Sequence, residues 1–147
     1  MSASFKTLAV SCPNVGGALK PEYIVLHDTA SGLKSDGPIS WLTNPASKVS
    51  AHVVIGRDGV ITQLVPFNVK AWHAGQSVWK NRPLLNGFSV GIEIVNPGRL
   101  EQTPDGKYRG VGLYDPPRDG TTIKYAKTNP HGAGFWMAYT PAQIAAV

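Results

Sequence analysis

The sequence predicts an α/β fold, a central mixed β-sheet flanked by helices, and three observations carry that expectation. Tyr23-Ile24-Val25-Leu26 is an apolar, β-rich run that stops at His27 and the small polar residues after it. Asp58-Gly59 stands between two β-rich runs, which is a strong hairpin signal. Residues 88–96 form another apolar run, and segments with helical signatures follow the first strand and close the sequence.

The elements follow in order. Residues 1–21 carry Pro13, Gly16, Gly17 and Pro21 without a sustained period, so they read as an irregular arm with one short strand near residues 5–10. The next strand is expected to be buried; Tyr23, Val25 and His27 share one face, Ile24 and Leu26 the other, and the imidazole leaves the sheet at the strand's end. A polar loop over 31–36 leads to Pro38, which opens a short helix with Ile39, Trp41 and Leu42 as its apolar face, ended by Asn44-Pro45. Val53 to Ile55 and Val60 to Val65 make the hairpin. Ala71-Trp72-His73-Ala74-Gly75 reads as a short extended piece, and residues 76–87 as a loop punctuated by Pro83 and Asn86-Gly87.

In residues 88–96, Val90, Ile92 and Ile94 point one way and Ser89, Gly91, Glu93 and Val95 the other. Residues 97–134 are broken by repeated Pro and Gly and read as a long excursion, with Asp105-Gly106 turning a small surface hairpin. Thr140, Pro141 and Gln143 then supply an N-cap, a first-turn proline and the far partner of a capping box. The helix begins there and the sequence stops at Val147. Residues 1–147 are therefore expected to be a single domain lacking its C-terminal portion, with apolar sheet surface left uncovered beside the short helix.

Composition narrows the partners. The net charge of +5 favours an anionic partner, but the basic residues are spread along the chain and do not indicate nucleic acid. Cys12 is the single cysteine, which excludes an intramolecular disulfide, and it reads as a structural thiol. Nothing approaches the roughly 20 apolar residues of a membrane span. The apolar stretch after Lys6 is also shorter than the roughly 7–15 residues of a secretory signal core, so a cytoplasmic location is expected.

Two residues carry the chemistry. Burying an ionised carboxylate without a partner costs several kcal/mol, so Glu93 inside an apolar strand must face a partner, a metal or a wet cleft. His27 reaches the same kind of position, and the two would share one cleft if their strands are neighbours. A zinc hydrolase uses about three protein ligands, an open water position and a carboxylate that takes the water's proton. The sequence offers one ligand, His27, and one base, Glu93. Of the other histidines, His52 opens an apolar strand and reads as core, with a place at the border of the site as the lesser alternative. Trp72 and His73, beside small residues, read as a pocket lining for a sugar or peptide. His131, in a Pro-Gly loop, reads as exposed.

Four motifs, Ile24-Val25-Leu26-His27-Asp28-Thr29, Ser50-Ala51-His52-Val53-Val54-Ile55-Gly56-Arg57-Asp58-Gly59, Ala71-Trp72-His73-Ala74-Gly75 and Ser89-Val90-Gly91-Ile92-Glu93-Ile94-Val95-Asn96, occur in an order that resembles the zinc-dependent N-acetylmuramoyl-L-alanine amidases of the amidase-2 and peptidoglycan-recognition-protein superfamily. The resemblance covers residues 22–96 and the helix start at 139–145. It implies that His27 is the first zinc ligand, that Glu93 assists the attacking water, and that Trp72, His73 and Asn96 bind substrate. It also implies a Zn2+ cofactor, peptidoglycan or a muropeptide as partner, and further ligands after the helix at Thr140. Some members carry a catalytic tyrosine where this chain has Ala51, which places more of the burden on Glu93. A muropeptide-binding module without catalysis is the alternative function, and a phage-encoded enzyme or one acting at the cell wall the alternative setting.

Overall fold

The structure, a computed structural model, describes residues 5–110, 112–114, 123–128 and 132–147. In chain order the first half forms β1 (Thr7–Ala9), β2 (Tyr23–Asp28), α1 (Asp36–Leu42), β3 (Val53–Ile55), β4 (Ile61–Gln63), β5 (Val78–Trp79), β6 (Arg82–Pro83), a 3₁₀ turn (Leu85–Gly87) and β7 (Ser89–Ile94). The second half adds β8 (Arg99–Gln102), β9 (Tyr108–Gly110), β10 (Gly112–Tyr114), β11 (Ile123–Ala126), β12 (Gly134–Met137) and α2 (Pro141–Ala146).

The central sheet is mixed, with the order β1-β4-β3-β7-β2. β7 runs parallel to both its neighbours, β2 and β3, while β3 and β4 form the expected antiparallel hairpin. Gly59 closes that hairpin with φ 80°, a left-handed conformation that glycine adopts without steric cost. The main core lies between α1 and this sheet, where Leu42, Val54, Leu64, Val65 and Val95 pack with Cys12. The Cys12 thiol donates to Leu42 O at 3.2 Å, which gives it the structural role expected.

Several expectations change. β2 is an edge strand, and its outward residues are not buried: Ile24 is 66% and Leu26 53% exposed. The helix around Pro38 forms, but Trp41 is 58% exposed and belongs to a cleft rather than to the core face. The 76–87 loop contains the small β5–β6 hairpin, and residues 71–75 are irregular rather than extended strand. The region read as an excursion carries a second, five-stranded antiparallel sheet, β10-β9-β8-β12-β11, in which Asp105-Gly106 does turn the β8–β9 hairpin. His131 lies outside the described residues.

At the C-terminus both arms of the capping box form: Thr140 Oγ1 accepts from Gln143 N–H at 3.0 Å, and Gln143 Oε1 accepts from Thr140 N–H at 3.0 Å. The same two side chains dock α2 on the sheet. The Thr140 hydroxyl donates to Arg57 O at 2.7 Å, and Gln143 Nε2 donates to Val95 O at 2.8 Å. Tertiary hydrogen bonds thus hold a helix too short to stand alone in water.

Candidate active site

His27 and Glu93 are register partners on adjacent parallel strands, β2 and β7. Parallel neighbours in register present side chains to the same face, so the imidazole and the carboxylate emerge side by side. They do so on the face that carries α1. There a cleft of about 460 Å³ opens, lined by Asp28, Trp41, Trp72, His73 and Glu93 among others. Its size and mixture of aromatic and polar groups suit a small ligand.

The Trp72–His73 loop is held from both sides. Trp72 N–H donates to Ser50 Oγ at 2.9 Å, and the Asn86 side-chain oxygen accepts from His73 N–H at 3.0 Å and from Ala74 N–H at 2.8 Å. That places the His73 ring over Gly91, where even a methyl group would come within 2.3 Å of the ring. His73 Nδ1 lies 3.1 Å from His27 Nε2. His52 sits behind them and is fully buried. Its Nε2 donates to Val69 O at 2.9 Å and its Nδ1 accepts from Gly91 N–H at 3.0 Å, so it is the core residue expected.

Burial sets the electrostatics. It pushes Glu93 up to about 7, with help from the nearby charge of Asp28, and it pushes His73 down to about 4. Burial lowers His27 and His52 as well, partly offset at His27 by Asp28 and at His52 by the bond to Val69. The histidines are therefore neutral near pH 7, whereas Glu93 is poised between its two forms, as a group that must both take and return a proton should be.

Asn96 does not take the expected place. It is 2% exposed, its amide nitrogen donates to Met137 O at 3.1 Å, and its side-chain oxygen accepts from Gly98 N–H at 3.0 Å. It ties the end of β7 to β12 and presents nothing to the cleft. Tyr139 was not singled out from the sequence, yet burial and the charges of Asp28 and Glu93 raise its hydroxyl pKa, which puts it in the electrostatic reach of the site. The signal for it is its place just before the capping box.

As a zinc ligand His27 has the right chemistry, since burial keeps the imidazole unprotonated. Among the described residues, no group of three or more His, Cys, Asp or Glu side chains is placed to hold a metal ion. The described residues do not by themselves complete a tetrahedral site.

Residues 17–147 match the sequence profile of the amidase-2 family, described as N-acetylmuramoyl-L-alanine amidase. The chain is similar to the 1,6-anhydro-N-acetylmuramyl-L-alanine amidase AmpD of Escherichia coli, 48% identical over 62 residues that make up 42% of this chain and 33% of the relative. It is similar also to AmpD of Enterobacter cloacae, 50% identical over 104 residues, 62% of this chain and 55% of the relative. Among solved structures it resembles a selenomethionine derivative of AmpD, with TM-score 0.55 and 29% identity over 64% of this chain and 63% of that one. It also resembles the amidase AmiD of E. coli in complex with anhydro-N-acetylmuramic acid-L-Ala-D-gamma-Glu-L-Lys, with TM-score 0.58 and 26% identity over 92% of this chain and 40% of that one. The chain thus spans about a third to just over half of the length of these curated relatives. With the profile running from the arm before β2 through α2, the chain belongs to the amidase-2 family of N-acetylmuramoyl-L-alanine amidases.

Proposed function

We propose that this chain serves zinc-dependent hydrolysis of the amide bond between N-acetylmuramic acid and L-alanine in peptidoglycan or muropeptides. The observation that carries the reading is the register pairing of His27 with Glu93, whose carboxyl group lines the cleft. Zinc held there, with His27 as the ligand this chain contributes, would supply Lewis acidity toward the carbonyl oxygen and the attacking water. Glu93 takes the proton from that water as its oxygen bonds to the carbonyl carbon. The carbon–nitrogen bond then breaks, and Glu93 returns the proton to the leaving amine of L-alanine. A carboxyl group near 7 suits both transfers. Trp72 and Trp41 offer aromatic walls for the sugar and peptide.

Similarity to relatives whose names specify muramyl-alanine amides supports the substrate class. A second reading, a muropeptide-binding module without catalysis, is favoured by the absence, among the described residues, of any group of three or more His, Cys, Asp or Glu side chains placed to hold a metal ion. One experiment separates them: muropeptide binding and release of the stem peptide are followed together, with zinc supplied, for the wild type and Glu93→Gln. The enzyme reading expects cleavage, lowered about 10²–10⁴-fold in the variant with binding retained. Binding without cleavage in the wild type selects the module. Full turnover by Glu93→Gln removes Glu93 from the mechanism.

A further inference from the structure

Behind His27 the hydrogen bonds run in one direction only. The Ser89 hydroxyl lies 2.6 Å from Leu85 O, a carbonyl that can only accept, so its proton is spent there. His73 Nε2 lies 3.3 Å from Ser89 O and 3.4 Å from Ser89 Oγ. Both are acceptors toward the ring, so His73 Nε2 carries the hydrogen. In a neutral imidazole the other nitrogen is then a bare lone pair. That nitrogen, Nδ1, faces His27 Nε2 at 3.1 Å. Two lone pairs do not bond, so the proton between the rings sits on His27 Nε2.

We infer that His73 is a positioning residue that locks His27 in its Nε2–H tautomer and so makes Nδ1 the nitrogen that meets a metal ion. The inference rests on the reading of His27 as a zinc ligand and adds to it which nitrogen binds and what decides this. Without His73, His27 could carry its proton on either nitrogen, and part of the population would present an N–H where a ligand is needed. Partners that fix a ligating histidine's tautomer in this way typically govern metal affinity by about 10–100-fold. Gly91 belongs to the device. Its missing side chain is the slot that lets the His73 ring lie against β7, since a Cβ there would meet His73 Cγ at 2.3 Å. His52 provides an internal reference, because Val69 O and Gly91 N–H set its Nε2–H tautomer independently of His27.

NMR of the labelled imidazole nitrogens in the metal-free full chain, at a pH of about 8 where the rings are neutral, tests this directly. The expected result is a single Nε2–H tautomer for His27 and a through-hydrogen-bond coupling from its Nε2 to His73 Nδ1. His73→Phe removes the acceptor and should yield mixed His27 tautomers with zinc affinity weakened about 10–100-fold. His73→Asn, whose side-chain oxygen can stand where Nδ1 stood, should restore both. A proton found on His73 Nδ1 in the wild type overturns the inference without any variant, and so does an unchanged His27 tautomer in folded His73→Phe. Failure of the underlying reading looks different: His27→Ala would then bind zinc as tightly as the wild type, whatever the tautomers show.

Discussion

Glu93 combines a functional position with a cost to the fold. Burial and Asp28 raise it from an ordinary 4.5 to about 7, so the folded chain prefers the protonated carboxyl. Below about pH 4.5 folded and unfolded forms are both protonated and nothing is lost; as pH rises through the folded value the unfolded chain gains from ionising first, and stability falls. Metal-free Glu93→Gln should therefore match the wild type near pH 4 and exceed it by about 1–3 kcal/mol near pH 8, a range that allows for partial solvent screening. Urea midpoints at the two pH values check this, and equal midpoints at the higher pH would mean that a partner already relieves the carboxylate. His27 and Glu93 were legible in the sequence because each is a polar residue in an apolar strand. Their pairing was not, because register depends on which strands become neighbours. Asn96 was misplaced for a related reason: its partner, Met137 O, comes from 41 residues further along the chain.

α2 depends on one hydroxyl with two duties. Thr140 Oγ1 accepts from Gln143 N–H, and its proton goes to Arg57 O on the hairpin turn. Thr140→Ala should cost about 1–2 kcal/mol, the sum of a lost cap and a lost tertiary hydrogen bond, while Thr140→Ser, which keeps the hydroxyl, should cost less than half of that. Chemical denaturation of both variants checks the difference; equal losses would assign the effect to the methyl group's packing instead. The capping box and the Asp58-Gly59 hairpin were readable because their chemistry is local, complete within a few residues. The second sheet was not. Its strands are three or four residues long and separated by Pro and Gly, and β12 pairs with β8 through Phe135 and Leu100, a contact no local pattern announces. β2 misled in the other direction: its apolar composition suits burial on both faces, but edge position leaves Ile24 and Leu26 open.

At the scale of the whole molecule, the buried site makes two opposing demands on pH. His27, His52 and His73 are all pushed down by burial, His73 furthest, to about 4. An unfolded chain takes up protons near 6.5 that these rings refuse, so the stability they contribute is complete above that value and is lost as pH falls through their lowered values, about 4 for His73. Glu93 works the other way between about 4.5 and 7, because the folded chain holds a proton that the unfolded chain has released. His73 and Glu93 nearly offset each other, and the downward shifts of His27 and His52 leave a net proton uptake on unfolding, so stability of the metal-free chain should rise modestly between about pH 4.5 and 6.5. Removing either side of the balance should change the slope in a predictable sense. Glu93→Gln takes away the opposing term and should steepen the rise, whereas His73→Asn takes away the largest supporting term and should flatten it. Unfolding midpoints across that window, measured in chelator for all three proteins, give the answer. A wild-type midpoint that falls with rising pH, or a His73→Asn slope as steep as the wild type's, would show that the histidine cluster is not held neutral in the way its burial and hydrogen bonds require.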